Sequence, residues 1–185
     1  MTNLLASGAM AAAVATLGMA PAAAQEETSH PLSFMFGEWV GEASGYSQAG
    51  PYAITQTERV GPILDGDAVV IEGRGYSDVG ETMFNAFAVV SKTGSDGGWE
   101  MRSYAQGRAG TFPFELTDNG YVWSVPAGPN AQMIYTATFD GDTWQQIGQY
   151  TPETGEPRQT FQMTLSRTSE TDWPAGDPVS PNLAD

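Results

Sequence analysis

One histidine, no cysteine and twenty-two carboxylates set the chemical repertoire of this 185-residue chain. His30 stands ahead of the first strand-like run, with no thiol or second imidazole to join it. Without cysteine, Cys–His catalysis and zinc–thiolate binding are excluded, and with no histidine inside the strand-like runs Ser–His–Asp catalysis is dismissed as well. The carboxylates offer more. Glu58 lies on one strand-like run, and Glu72, Arg74 and Tyr76 alternate along the next, so those three share a face. Turned inward, such a group could hold a polar ligand or tune a carboxyl for acid–base work. Turned outward, it is a solvated surface with a cross-strand ion pair. Val69 and Ile71 occupy the opposite face and are the better core residues, which favours the outward orientation. No catalytic residue is assigned on this basis.

Two other spacings suggest chemistry and are better explained by turns. Asp65-Gly66-Asp67 and Asp140-Gly141-Asp142 lack the remaining ligands of a calcium loop, and both fall where hairpins are needed. Gly73-Arg74-Gly75 lies within a strand and opens no helix, so it is no phosphate loop. The residues call for no metal and no cofactor. A different kind of site comes from large apolar side chains. Phe87, Met101, Trp123, Met133, Tyr135 and Trp144 are the candidates to line an interior with a few polar groups, the usual makeup of a small-molecule pocket. The same residues could instead fill that interior.

The elements that must position these side chains read as strand after strand. Runs rich in Val, Ile, Thr, Tyr, Phe and Trp fall at roughly 39–47, 52–60, 67–76, 83–92, 98–106, 110–117, 120–126, 131–139, 142–150 and 158–168. Asp65-Gly66, Asn119-Gly120 and Asp140-Gly141 suit tight hairpins because they accept positive φ at low cost. Alternation gives each run one apolar face: Phe112, Phe114 and Leu116 in one, and Phe161, Met163 and Leu165 in the last. About ten antiparallel strands with one buried face must close on themselves or stack as two sheets. Closure also removes exposed edges. The expected fold is all-β: a single antiparallel, roughly ten-stranded up-and-down β-barrel. A short helical plug at His30–Phe36 precedes it.

The ends of the chain differ from the middle. Residues 1–24 carry no charge, hold an Ala-rich apolar stretch and end at Ala22-Ala23-Ala24, which reads as a secretory signal peptide with an A-x-A site. Its n-region lacks the usual Lys or Arg. The continuous apolar part is too short and too rich in Ala and Gly for a spanning helix, so no membrane insertion is expected after cleavage. The expected organisation is a leader at 1–24, a barrel domain at 25–168 and a proline-rich tail at 169–185. The expected location is periplasmic or secreted. A domain of that size buries roughly 70% of its unfolded surface, and here it must do so without disulfides. Seven basic against twenty-two acidic residues give a net charge of −15, which repels nucleic acid and anionic membranes.

The opening Phe36-Gly37-Glu38-Trp39-Val40-Gly41-Glu42 resembles the short helix and G-x-W-x-G that begin lipocalin-like and nitrobindin-like barrels. Glu58-Arg59-Val60, Leu64-Asp65-Gly66, Val70-Ile71-Glu72-Gly73 and the closing Phe161–Arg167 strand are similar to a bacterial secreted family of unknown function with that calycin-like architecture. The resemblance spans about residues 32 to 168. It implies that Trp39 sits on the barrel floor above an apolar plug. Haem-binding nitrobindin-like barrels ligate iron through a histidine within the barrel, and this sequence has none there, so haem is not expected.

The leading expectation is a non-enzymatic exported barrel that holds a small, partly apolar ligand. The alternatives are a cell-envelope interaction or assembly protein with a filled barrel, and a hydrolase or isomerase using Glu58 or Glu72.

Overall fold

Ten strands follow one another along the chain, each paired antiparallel with the next: β1 (Gly37–Ser47), β2 (Gly50–Ile63), β3 (Ala68–Tyr76), β4 (Thr82–Thr93) and β5 (Gly98–Ala105). The second half continues with β6 (Arg108–Thr117), β7 (Gly120–Pro126), β8 (Ala131–Asp140), β9 (Thr143–Pro152) and β10 (Arg158–Ser169). β10 returns to β1, with Trp39 opposite Arg167 and Ala43 opposite Met163, and closes the barrel. The computed structural model describes residues 29–174 apart from 48, 95 and 96. The expected leader lies outside the described residues, as does the tail beyond Pro174.

Strand boundaries agree closely with the pattern of β-formers and turns. The main difference is β2, which continues through Gly61-Pro62 to Ile63 rather than stopping at Val60. There Pro62 still pairs with Val69 on β3. The hairpins β6–β7 and β8–β9 turn through two residues each, Asp118-Asn119 and Gly141-Asp142, where the carboxamide and glycine chemistry calls for them.

One end of the barrel is plugged. Leu32 and Met35 flank and end the 3-10 turn Ser33–Met35, and both are fully buried. Trp39, also fully buried, donates its indole N–H to the Met35 carbonyl at 3.0 Å, so the large ring enters the core without an unpaired donor. Arg167 locks this arrangement from the last strand. Its guanidinium lies 4.1 Å from the Trp39 ring centre, donates to the Phe34 carbonyl at 3.0 Å and pairs with Asp142 at 3.0 Å. Gly37 is required here. Its φ is +135°, and a Cβ would lie 2.8 Å from Arg167 Nη1 and 2.9 Å from the Ser169 carbonyl.

His30 belongs to the same end. Its Nδ1 accepts from the Leu32 N–H at 3.0 Å, which leaves Nε2 to donate to the Gly66 carbonyl at 3.0 Å. The ring packs beside Phe36 and Trp99. The only imidazole thus ties the plug to the β2–β3 turn.

After β10 the chain folds back over the outside of β2 to β4. Arg59 holds the Asp172 carboxylate through Nε and Nη2 and lies 4.7 Å from the Trp173 ring centre. Trp173 in turn meets Phe87 edge to face at 6.5 Å.

Candidate functional site

The half of the barrel away from the plug is hollow. A cavity of ≈ 510 Å³ runs from the floor near Trp144 to the open end, where Tyr52 and Met83 lie on its wall and are partly exposed. The space exists because the two sides of the barrel carry side chains of very different size. β3, β4 and β5 turn Gly73, Ala86, Ala88, Ser103 and Ala105 inward. β7 to β10 turn Trp123, Tyr135, Trp144 and Phe161 inward. On that aromatic side Trp123 and Tyr135 stack at 4.4 Å and 13°, and Phe161 meets Tyr135 at 5.9 Å and 72°. The β3–β5 wall also carries Ile71, Phe84 and Met101, but its five small residues leave a slot beside the flat aromatic surface opposite.

Polar groups gather deeper in the cavity. Gln56 Nε2 donates to Glu58 Oε1 at 2.8 Å, and the Tyr121 hydroxyl donates to Gln146 Oε1 at 3.2 Å. Gln56, Tyr121 and Gln146 are buried, and Glu58 keeps some surface facing the cavity. Gly73 makes room for the carboxyl: a Cβ there would come within 2.8 Å of both Glu58 carboxylate oxygens. Enclosure in this surround pushes the Glu58 carboxyl up to about 7, the Gln56 hydrogen bond offsetting part of the effect and the nearby Glu72 charge adding to it. Burial, and then the Glu58 charge, hold the Tyr121 phenol well above its ordinary value. The buried Trp144 indole N–H has no hydrogen-bond partner, an unmet demand for an acceptor on the wall of a cavity.

The structure separates the carboxylates that the sequence placed near one another. Glu72, Arg74 and Tyr76 face outward, as alternation favoured, and Glu72 accepts from Arg74 at 2.6 Å and lies 3.6 Å from Arg59 across the strands. Glu58 pairs with Trp39 and Gly73 and points inward. The signal was available: Ile54, Gln56, Glu58 and Val60 share one parity, and Val60 is fully buried. Two adjacent polar residues on that face disguised it as the solvent side.

Four of the six aromatic and methionine candidates, Met101, Trp123, Tyr135 and Trp144, line the cavity. Phe87 does not, and its expected inward position is corrected. It lies on the outer face of β4 between the inward Ala86 and Ala88, exposed and edge to face with Trp173. Size misled the reading, since here the small residues face in. Met133 has the inward parity of Tyr135 but sits nearer the rim, outside the cavity wall, where the Thr160 hydroxyl reaches its sulfur at 3.7 Å.

The donor set does not fit a histidine-ligated haem: the cavity wall holds no imidazole, and His30 is bonded within the plug at the other end. Among the described residues no group of three or more His, Asp or Glu side chains is placed to hold a metal ion.

A solved structure shares this architecture. The crystal structure of Rv2717c from M. tuberculosis superposes with a TM-score of 0.55 at 12% identity, covering 74% of this chain and 94% of that one. The likeness is one of fold. No family model and no curated protein matches the sequence.

Proposed function

We propose that this chain is an exported, non-enzymatic barrel of lipocalin-like or nitrobindin-like type that binds a small, mostly apolar molecule in its open half. The observation that carries this reading is the ≈ 510 Å³ cavity, with a stacked aromatic wall and a few convergent polar groups, within the size range of small-molecule sites. The alternative of an assembly protein expects a filled barrel, and the hollow interior argues against it. Export rests on the uncharged leader at 1–24. Native mass spectrometry of the protein purified from its own host tests the reading. A non-covalent adduct that is lost on denaturation supports it; repeated preparations with neither adduct nor uptake of an apolar dye would overturn it.

One observation favours a second reading. A cavity-facing carboxyl at about 7 is poised to exchange a proton near neutral pH, which suits a hydrolase or isomerase. Glu58, not the outward Glu72, would then be the acid–base group. An activity found in a substrate screen that survives Glu58→Gln removes this reading.

A further inference from the structure

We infer that the ligand of this cavity is an organic amine, an aryl or alkyl ammonium whose cation sits against Glu58 and whose apolar body lies along the Trp123–Tyr135 wall. The inference rests on the ligand-binding reading above and names the chemistry of the molecule bound.

Glu58 is the one formally charged side chain that lines the cavity among the described residues; no Lys, Arg or His faces it. A carboxylate enclosed without a cation is strongly unfavourable, and here a single amide from Gln56 is all that meets it. The other titratable groups around it give no positive charge. Tyr52 on β2, Tyr121 on β7 and Tyr135 on β8 are phenols held above their ordinary values by burial. Glu72 lies across the β3 backbone and is already occupied by Arg59 and Arg74 on the outer face. The space above Glu58 therefore lacks a cation, and Gly73 keeps both carboxylate oxygens clear of a side chain from β3. Trp123, Tyr135 and Trp144 line the same cavity, and aromatic rings of this kind favour a cation through their quadrupoles. An anionic ligand meets the opposite condition, a buried like charge and no donor cluster of basic residues.

Binding of an ammonium must favour the ionised carboxyl, so it releases the proton that Glu58 holds in the free barrel. Affinity accordingly rises with pH through the neutral range and falls only as the amine itself loses its proton, at about 10 for an alkylamine.

The test is displacement of the uncharged dye N-phenylnaphthylamine by three indoles of matched size: tryptamine, tryptophol and indolepropionate. At about pH 8, tryptamine should displace the dye at least about tenfold more effectively than tryptophol, and indolepropionate should be the weakest of the three. In Glu58→Gln the ratio of tryptamine to tryptophol affinity should fall to near one. Calorimetry on the unmutated chain in buffers of different ionisation enthalpy provides a second readout, with release of roughly half to one proton per tryptamine near pH 6.5 expected. Dye binding with equal displacement by all three, a preference for the carboxylate, or no proton release overturns the amine assignment alone. Failure of the dye and of every indole to bind overturns both this inference and the ligand-binding reading.

Discussion

At the closed end of the barrel Trp39 meets Phe139 and Trp144 edge to face at 5.6 and 5.7 Å, while Phe34 closes on Phe139 at 5.0 Å. Towards the open end the same sheet, with the same inward alternation, turns Gly73, Ala86 and Ala105 side by side on three neighbouring strands. One region is filled with rings; the other is left empty along one wall. The barrel is closed through both with one strand order, although the β6–β7 ladder extends only over Phe114–Thr117 against Gly120–Trp123, so strand order does not distinguish them. Side-chain volume at inward positions does. The difference teaches that barrel closure and barrel filling are separate properties of this sequence: the plug, Trp39 and Arg167 secure the fold, and the alanine wall spends none of that stability on filling the interior.

The comparison can be broken most forcefully at the floor. Trp39→Ala removes the ring that the plug, Arg167, Phe139 and Trp144 all touch, and it should destabilise the chain by about 3–5 kcal/mol in denaturant unfolding. A change under about 1 kcal/mol would mean that the closed end is not the packed core described here.

A second test concerns the charge in the hollow half. The Glu58 carboxyl stands at about 7 in the folded barrel against 4.5 ordinarily. Between those values the folded chain keeps a proton that the unfolded chain has released. The sign follows: the contribution is fully favourable below about 4.5 and is lost as pH rises through about 7, a swing on the order of 3 kcal/mol. Glu58→Gln should remove it, so the difference between the two stability–pH curves should grow across that window. Parallel curves would place the carboxyl in water instead.

The sharpest form of the comparison puts one substitution in both regions. Ala137 is fully buried between Tyr121 and Gln146, and Ala137→Phe should cost about 3 kcal/mol through overpacking. Ala86 faces the cavity between Gly73 and Ala105, and Ala86→Phe should change stability by less than about 1 kcal/mol. Equal costs measured by thermal unfolding would erase the distinction between the two ends.

Much of this was legible in the sequence. Alternating β-formers and turn residues located all ten strands, and the Phe36–Trp39 motif pointed to the plug and to Trp39 on the floor. The outward Glu72–Arg74 face also followed from Val69 and Ile71. The cavity was less legible, because a hollow is defined by what is small. Ala86 and Ala88 carry little hydrophobic signal, and Phe87 between them carries a large one on the wrong face. Glu58 was obscured for a related reason. Polar residues on an inner face look like a solvent face until the register with Trp39 and Gly73 is known. Distances across the barrel, such as the approach of Tyr121 on β7 to Gln146 on β9, depend on closure and have no local trace in the chain.

The central claim, that the open half is a hollow that takes up a small apolar molecule, is tested most directly by titrating N-phenylnaphthylamine into the natural chain and into Ala86→Phe. The expected result is saturable, single-site fluorescence enhancement in the natural chain that is lost, or weakened at least about tenfold, when the phenyl ring occupies the cavity of a still-folded variant. Absence of saturable uptake by the natural chain, or equal uptake by the filled variant, would contradict it.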